Sequence, residues 1–393
     1  MDFAPRTDPA LIDDLRRRLR VTRWSRGSDD AGWALGTDPA YLRELMAYWA
    51  DGFDWEAKEA ELNRLPRSFV EVGGRGIHVI HSLADRAAEG ASRRPALLLV
   101  HGWPDSFWRY LKVIPLLAAE FDLVVPDIPG FGYSDPPVGA ALNSREVAAV
   151  FAGLMTRLGY DRFFAAGGDL GSHVVRYLAL DFPERVVAVH RTDAGLPAPG
   201  TDVSALTPEE RDWVRSAFEW NASEGAYAAI HRTKPNTAAA ALNDSPAGLA
   251  AWIVEKLHSW SDRGLAHYSM DDILTNLSIY WFTGTIGSSM RMYHANSLIA
   301  PAQLARHVDV PSGFSIFGAD LVRAPRAWLE RSTNLARFTE PAEGGHFAPF
   351  EVPERYAQEL RDFFALFPAQ SAGRGARGER DEEMRAEAPA YGE

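Results

Sequence analysis

Continuous apolar runs and amphipathic runs alternate along most of the chain. The apolar runs are short, which is typical of strands buried on both faces. The patterns between them have helical period; the clearest follows Asn143, which predicts a capping box with Glu146. Strands that alternate with helices predict an α/β architecture, a parallel sheet with helices on both faces. The predicted strands are Leu97–Val100, Leu123–Val125, Phe163–Ala165, Val186–Val189, Phe314–Phe317 and a short one near Arg337-Phe338.

The first part of the chain has a different pattern. Asp8-Pro9 and Asp38-Pro39 each place a capping residue before a proline, and an apolar stripe of helical period follows each pair. Phe69–Val72 and Ile77–His81 flank a glycine-rich turn, which predicts a β-hairpin. We expect residues 1–92 to form an N-terminal extension of helices and a hairpin that wraps the core.

A second interruption lies between the strand at Val186–Val189 and the strand at Phe314–Phe317. This stretch is helical and rich in Trp and Tyr, with a capping box at Thr207–Glu210 and another helix start at Asp244-Ser245-Pro246. After a last predicted helix, Pro353–Phe367, the chain is dominated by Gly, Arg, Glu and Ala, which predicts disorder. The predicted boundaries are residues 93–195 and 301–368 for the core, 196–300 for an inserted helical cap and 369–393 for a disordered tail.

Composition excludes several classes of function. The 393 residues contain no Cys, which excludes a disulfide framework, Cys-ligated metal centres and a Cys nucleophile. The net charge of −12 argues against nucleic acid and anionic membranes as main partners. The N-terminus has no apolar signal segment, and no apolar run approaches the ~18 residues of a membrane span. We therefore expect a soluble cytoplasmic protein without a membrane anchor.

The segment Gly167–Gly171 follows a predicted strand and begins a predicted helix. Its spacing is that of a nucleophile elbow, in which glycines allow a turn so tight that one side chain stands above the sheet. Here that side chain is Asp169. The N-terminus of the following helix favours an anion, so we expect Asp169 to be an ionised nucleophile. A capping Asp on a glycine-rich turn is the alternative interpretation.

Two further loops supply partners for this carboxylate. His101-Gly102-Trp103-Pro104 follows a strand, and a loop at this place provides one backbone N–H of an oxyanion hole. We predict that the backbone N–H groups of Trp103 and Leu170 form that oxyanion hole. We interpret the His101 side chain as structural, with a role in holding the backbone of the loop. Gly344-Gly345-His346-Phe347 follows the last strand, and His346 is the candidate base.

A base of this kind needs an acid that orients it. Asp320 and Asp193 each follow a predicted strand, and we favour Asp320 while keeping Asp193 as the alternative. The order Asp169, Asp320, His346 is the nucleophile, acid and histidine order of enzymes with this elbow.

The other histidines do not indicate a metal site. His78 and His81 lie three residues apart in a predicted strand, so their side chains point to opposite faces and cannot bind one ion. His173 lies one turn beyond the elbow, where we expect it to be packed. No metal or organic cofactor is expected.

A carboxylate nucleophile suits displacement at a saturated carbon, with an ester that water then cleaves. The substrate therefore carries a leaving group on such a carbon, either an epoxide oxygen or a halide. An epoxide needs phenol donors for its oxygen, and a halide needs indole N–H donors. The predicted cap is rich in both residue types, so composition leaves the choice open.

Several longer motifs, which extend from about Ile12 to about Phe367, occur in the same order as in one known family. Through these motifs the chain resembles the microsomal-type epoxide hydrolases, a branch of the α/β-hydrolases. The resemblance implies an α/β-hydrolase fold with an inserted helical cap. The motifs are Leu15–Leu19, Thr22–Trp24, Gly36–Asp38, Tyr48-Trp49, Phe53–Trp55, Glu61–Asn63, His101–Pro104, Gly167–Asp169, Thr233–Pro235, Leu242–Ala250, Ser288–Tyr293 and Gly344–Phe347.

The resemblance also implies a reaction and two further site residues. Tyr227, six residues before the Thr233 motif, and Tyr293, at the end of the Ser288 motif, match the two cap tyrosines of the family. The implied reaction converts a hydrophobic epoxide to a vicinal diol through an ester on Asp169, which water activated by His346 cleaves.

This chain departs from the family pattern in three ways. Leu170 stands where the family usually has Trp, and Asp105 stands where it usually has Gly. The membrane anchor of animal members is missing. A haloalkane or haloacid dehalogenase with the same nucleophile, and a non-catalytic ligand-binding protein on the same scaffold, are the alternative functions. Whether the protein forms a homodimer stays open.

Overall fold

A computed structural model describes residues 3–26, 31–83, 94–197 and 202–367. The predicted disordered tail, residues 369–393, lies outside the described residues. The sheet in the described part has eight strands; three helices precede it, others alternate with its strands, and one long insertion is helical. This arrangement agrees with the α/β architecture that the sequence predicts.

The sheet is mostly parallel. Its strand order is β1-β2-β4-β3-β5-β6-β7-β8; β1 and β2 form the predicted hairpin, β2 runs antiparallel to β4, and the remaining neighbours are parallel. Every residue of β3, β4 and β5 is buried, as the continuous apolar runs predict. The strands are β1 Arg67–Val72, β2 Arg75–Ser82, β3 Ala96–Val100, β4 Asp122–Pro126, β5 Phe163–Gly167, β6 Val186–Arg191, β7 Val308–Ser315 and β8 Thr333–Thr339.

The helices begin where the capping signals predict. The Asp8 side chain accepts the N–H of Ala10 at 2.9 Å, and both halves of the predicted Asn143–Glu146 capping box are formed. The described helices are α1 Pro9–Arg20, α2 Pro39–Asp51, α3 Trp55–Leu62, α4 Ile114–Leu117, α5 Ser144–Arg157, α6 Leu170–Asp181, α7 Pro208–Glu224, α8 Ala226–Thr233, α9 Pro235–Leu242, α10 Pro246–Ser259, α11 Met270–Thr283, α12 Ile286–Ser297, α13 Pro301–Leu304, α14 Arg326–Ser332, α15 Ala348–Glu351 and α16 Pro353–Phe364.

Two predicted boundaries are wrong by a few residues. Strand β7 begins at Val308 and ends at Ser315, whereas the apolar run predicts Phe314–Phe317. Its first half is irregular, with register shifts against β8 near Ser312, so backbone pairing extends the strand through residues that the hydropathy pattern misses. Helix α16 ends at Phe364 rather than Phe367, because the last three residues form turns.

Helices α7 to α12 lie between β6 and β7, in the interval where the sequence predicts the cap. Hydrogen bonds join them to the N-terminal region. The Tyr48 hydroxyl donates to Asp271 on α11 at 2.8 Å, and the Trp49 indole donates to Ser278 on the same helix at 3.1 Å. The N-terminal region thus fixes α11, which belongs to the predicted cap.

Candidate active site

Asp169 lies on a sharp turn between β5 and α6. Its backbone has φ 55° and ψ −129°, a positive-φ conformation that is uncommon outside glycine and is typical of a nucleophile elbow. The turn requires a glycine beside it, because a Cβ on Gly171 would lie 2.0 Å from the carbonyl oxygen of Val100. The elbow therefore presents the Asp169 side chain at the N-terminus of α6.

Two backbone N–H groups stabilise the Asp169 carboxylate. The N–H of Trp103 donates to Oδ1 at 2.8 Å, and the N–H of Leu170 lowers the pKa of the carboxylate. The approach is this close because residue 102 is glycine; a Cβ there would lie 2.4 Å from the Asp169 side chain. Burial raises the pKa of Asp169, but His346 and the two N–H groups lower it to below its usual value. The carboxylate is therefore ionised at neutral pH.

His346 faces Asp169 on one side and Asp320 on the other. Its Nδ1 lies 2.9 Å from Oδ1 of Asp320, and its Nε2 lies 3.4 Å from Oδ2 of Asp169, which is longer than a good hydrogen bond. The imidazole is buried. Burial lowers the pKa of His346, but the carboxylates of Asp320 and Asp169 raise it to about 10. The free site therefore holds an imidazolium between two carboxylates.

Asp193, the alternative acid, has a different set of partners. Its Oδ2 accepts the backbone N–H of Asp169 at 2.7 Å, and its Oδ1 accepts the N–H of Gly195 at 2.9 Å. Burial raises the pKa of Asp193 to about 6. The carboxylate that is hydrogen-bonded to the imidazole of His346 is that of Asp320, and Asp193 supports the elbow.

The two tyrosines of the predicted cap lie close to each other and near the Asp169 carboxylate. Tyr227 on α8 and Tyr293 on α12 have ring centroids 6.0 Å apart, and the Trp103 ring stacks on Tyr227 at 5.3 Å. Burial and the negative charge of Asp169 raise the pKa of both phenols well above the usual value. Both are therefore protonated at neutral pH, and the Tyr293 hydroxyl has no hydrogen-bond partner in the described part of the chain.

His231, one turn after Tyr227, completes this aromatic wall and was missed by the sequence analysis. It is buried, its ring lies 4.9 Å from that of Tyr293, and its Nε2 accepts the indole N–H of Trp252 at 3.3 Å. Burial, with a further contribution from Lys256, lowers the pKa of His231 to about 3. The imidazole is therefore neutral, and its spacing of four from Tyr227 on a helix was the available signal.

The histidines that we interpreted as structural do have structural contacts. His101 Nε2 accepts the backbone N–H of Ile128 at 3.0 Å. The side chains of His78 and His81 bind different partners; His78 pairs with the buried Asp127 at 2.8 Å. Among the described residues there is no group of three or more His, Asp or Glu that could hold a metal ion.

Three residues that the sequence analysis did not select hold the loop around His346. The backbone N–H of His346 donates to the carbonyl oxygen of Trp260 at 2.9 Å, and its carbonyl accepts from Arg109 at 2.6 Å. The buried Glu351 carboxylate accepts the N–H of Phe347 at 2.9 Å, and burial raises the pKa of Glu351 to about 7. Glu351 lies five residues after His346, so proximity was its only signal in the sequence.

This geometry can be compared with known proteins. Residues 1–110 match the family model described as epoxide hydrolase N terminus, and residues 95–275 match the model described as alpha/beta hydrolase fold. The sequence is 34% identical to epoxide hydrolase 1 of Sus scrofa over 94% of this chain and 89% of that protein. The chain belongs to the epoxide hydrolase family.

Solved structures of epoxide hydrolases are similar over almost the whole chain. The crystal structure of juvenile hormone epoxide hydrolase from the silkworm Bombyx mori has a TM-score of 0.84 with 27% identity, and 93% of each chain is covered. The Aspergillus niger epoxide hydrolase has a TM-score of 0.82 with 29% identity, covering 93% of this chain and 95% of that one.

The two residues at which this epoxide hydrolase departs from its family's motifs lie next to Asp169 or on the loop that contacts it. Leu170 is buried and contributes its backbone N–H to the Asp169 carboxylate, so the change of side chain leaves that donor in place. Asp105 is fully buried at the end of the loop that carries Trp103.

Across the described ranges, no helix is both long and apolar enough to traverse a bilayer.

Proposed function

We propose that this epoxide hydrolase converts a hydrophobic epoxide to a vicinal diol through a covalent ester on Asp169. The observation that carries the proposal is the ionised Asp169 carboxylate, with Oδ1 held by the backbone N–H of Trp103 and Oδ2 facing His346. The buried phenols of Tyr227 and Tyr293 on the cap side add donors for the epoxide oxygen.

In the first step, Oδ2 of Asp169 attacks one epoxide carbon. The carbon–oxygen bond of the ring breaks, its electron pair stays on the oxygen, and a phenol of Tyr227 or Tyr293 supplies the proton. Ester formation removes the negative charge of Asp169, which is one cause of the raised pKa of both phenols. The phenols therefore become better acids as the alkoxide develops.

In the second step, His346 acts as a base on water. The imidazolium of the free site is no base, but its raised pKa depends partly on the charge of Asp169. Esterification removes that charge, so the pKa of His346 falls and its proton can return to the tyrosinate. The neutral imidazole, oriented by Asp320, then takes a proton from water as the water attacks the ester carbonyl.

The oxyanion that forms in the second step has donors already in place. Oδ1 of Asp169 accepts the Trp103 N–H at 2.8 Å in the free site and becomes the carbonyl oxygen of the ester. The N–H groups of Trp103 and Leu170 therefore face the negative charge of the tetrahedral intermediate. Collapse of this intermediate releases the diol and restores the carboxylate and the imidazolium.

A dehalogenase is the second candidate, and one observation favours it. The indole N–H groups of Trp103 and Trp260 are buried and have no hydrogen-bond partner among the described residues, and indole N–H groups are donors for a halide. Incubation with 1-bromobutane and with styrene oxide distinguishes the two. We expect diol from the epoxide and no bromide release; bromide release without diol formation would favour the dehalogenase.

The His346→Gln variant tests the covalent step. It should still form the ester and then stall, so the intact protein should gain the mass of one epoxide, and a peptide containing Asp169 should carry it. A panel of styrene oxide, a terpene epoxide and a fatty-acid epoxide, with chiral analysis of the diols, identifies the substrate class. An unmodified His346→Gln protein in the presence of a panel epoxide that the wild type hydrolyses would contradict the mechanism.

The proposed mechanism uses no metal or organic cofactor. Dialysis of the wild-type enzyme against a chelator should therefore leave its rate of diol formation unchanged.

The cytoplasmic location that we expect from the sequence stays a prediction, and fractionation of the source cells would test it.

A further inference from the structure

A buried ion pair lies directly behind the candidate active site. Arg109 Nη1 donates to Asp105 Oδ2 at 2.6 Å, and both side chains are fully buried. A charge in such a place is stable only when it is paired and hydrogen-bonded. The remaining polar atoms of the two side chains show what the pair connects.

Asp105 is bonded to the loop that forms the predicted oxyanion hole. Its Oδ1 accepts the backbone N–H of Gly102 at 2.9 Å, and the next residue, Trp103, donates its own N–H to Asp169. The backbone carbonyl of Asp105 accepts the hydroxyl of Tyr280 on α11 at 3.0 Å. The Asp105 carboxylate therefore fixes the backbone directly before the N–H that holds the nucleophile.

Arg109 is bonded to the loop that carries the candidate base. Its Nη2 donates to the backbone carbonyl oxygen of His346 at 2.6 Å. The backbone N–H of His346 donates to Trp260 on the other side, so the guanidinium holds one of the two polar backbone groups of this residue. Arginine suits this task because its planar fork can bind two acceptors at once.

We propose that Asp105 and Arg109 are positioning residues that set the distance between the His346 imidazole and the oxyanion hole. The inference rests on the proposed function, because it assigns ester hydrolysis to His346. Alkylation needs Asp169 and the cap phenols, whereas hydrolysis needs the base and the oxyanion donors together at one carbonyl. Loss of the pair should therefore slow hydrolysis more than alkylation.

The double variant Asp105→Asn/Arg109→Gln tests this inference. It removes both charges together, so it leaves no unpaired buried charge. We expect ester hydrolysis to fall by about 100-fold, the loss that a misplacement of about 1 Å can cause. Alkylation should stay close to the wild-type rate, and the alkylated enzyme should accumulate in intact-mass spectra during turnover of the fastest panel epoxide.

Arg109→Lys is the conservative variant. Its single ammonium is not expected to reach both the Asp105 carboxylate and the His346 carbonyl as the guanidinium does, so we expect hydrolysis at a rate between those of the wild type and the double variant. This order of rates separates positioning from a general need for a positive charge. A wild-type rate in Arg109→Lys would overturn the assignment of the two guanidinium contacts.

Asp181→Asn is the matched control. Asp181 pairs with Arg145 and Arg306, each at 2.6 Å, and it ends α6, about 18 Å from the elbow at a rise of 1.5 Å per residue. This variant should lower the unfolding temperature and leave the ratio of hydrolysis to alkylation unchanged.

The inference is overturned if the double variant slows alkylation and hydrolysis by the same factor, or if it loses stability alone. If the double variant does not fold, the ratio of ester hydrolysis to alkylation in Arg109→Lys tests the inference instead. A wild-type enzyme that forms no ester on Asp169 would overturn the proposed function, and this inference with it.

Discussion

The carboxylates on the sheet side of the site and the donors on its cap side differ in how they are partnered. On the sheet side, the carboxylates of Asp169 and Asp320 accept hydrogen bonds, and Asp169 has a lowered pKa. On the cap side, the Tyr293 hydroxyl and the Trp260 indole N–H are buried without a partner among the described residues. Buried donors without partners are costly, and they are often retained where a ligand binds.

The difference indicates that the two sides stabilise charges that exist at different stages of the proposed reaction. The sheet side stabilises charges that exist before substrate arrives, namely the Asp169 carboxylate and the His346 imidazolium. The cap side offers donors to a charge that develops only when the epoxide opens. A variant of the orienting acid on the sheet side should therefore slow ester hydrolysis, and variants of the phenols on the cap side should slow alkylation.

Removal of the nucleophile should have the largest effect. Asp169→Ala should lower turnover by about 10⁶-fold, as loss of a nucleophile does in a comparable catalytic unit. Neither ester nor diol should form, which rapid quench and product analysis would check. Substantial diol formation by this variant would mean that water attacks the epoxide directly.

The orienting acid should come next. Asp320→Asn should slow ester hydrolysis by about 10⁴-fold, as in a comparable triad, because the imidazolium loses its partner. Asp193→Asn should have little effect, because its amide oxygen can still accept the N–H of Asp169. Single-turnover kinetics of both variants check this, and the reverse pattern would assign the role to Asp193.

The cap tyrosines should have a smaller effect when changed singly. Tyr227→Phe or Tyr293→Phe should slow alkylation by something like the ~10²–10³ of a lost oxyanion donor, with one phenol partly replacing the other. The double variant should be close to inactive in forming the ester. Ester formation at the wild-type rate by the double variant would mean that these are packing residues.

Stability gives a finer test of whether the cap-side hydroxyl lacks a partner. Tyr293→Phe removes a hydroxyl that has no partner in the described residues, so it should not lower the unfolding temperature. Tyr48→Phe removes a hydroxyl that donates to Asp271, so it should lower the unfolding temperature and leave alkylation unchanged. Thermal unfolding of both variants checks this; a destabilised Tyr293→Phe would mean that the hydroxyl is already satisfied.

The smallest expected effect is a shift in the titration of His346. In the free enzyme its pKa is raised to about 10, so the imidazole is charged at neutral pH. Loss of the Asp169 charge in the ester lowers this pKa, so ester hydrolysis should rise with pH to a plateau that it reaches below pH 10. Nitrogen NMR of the free enzyme and the pH profile of hydrolysis give the two values. Equal values would contradict the electrostatic link.

The parts of this site that the sequence predicts are those with local signals. These signals involve residues that are close together in the sequence. They are the glycine spacing around Asp169, the strand before it and the helix caps, and the structure contains all three features. The strand positions followed from continuous apolar runs, and they failed mainly where backbone pairing continues past the run, as in β7.

The parts that sequence patterns alone could not place depend on contacts across the fold. Tyr227 and Tyr293 came only from the resemblance to a family, because nothing near them in the chain marks the nucleophile as their neighbour. The contact of Arg109 with the carbonyl of His346 joins residues 237 positions apart, and no local pattern reports it. Asp105 was noticed as a departure from the family, but its partner was not.

The central claim is that Asp169 attacks the epoxide and that water attacks the ester afterwards. A single turnover of the wild-type enzyme in ¹⁸O-labelled water tests it most directly. The account predicts a diol whose new hydroxyl carries unlabelled oxygen from Asp169, together with a peptide containing Asp169 that has gained the label. Label in the diol after one turnover, with an unlabelled Asp169 peptide, would contradict it.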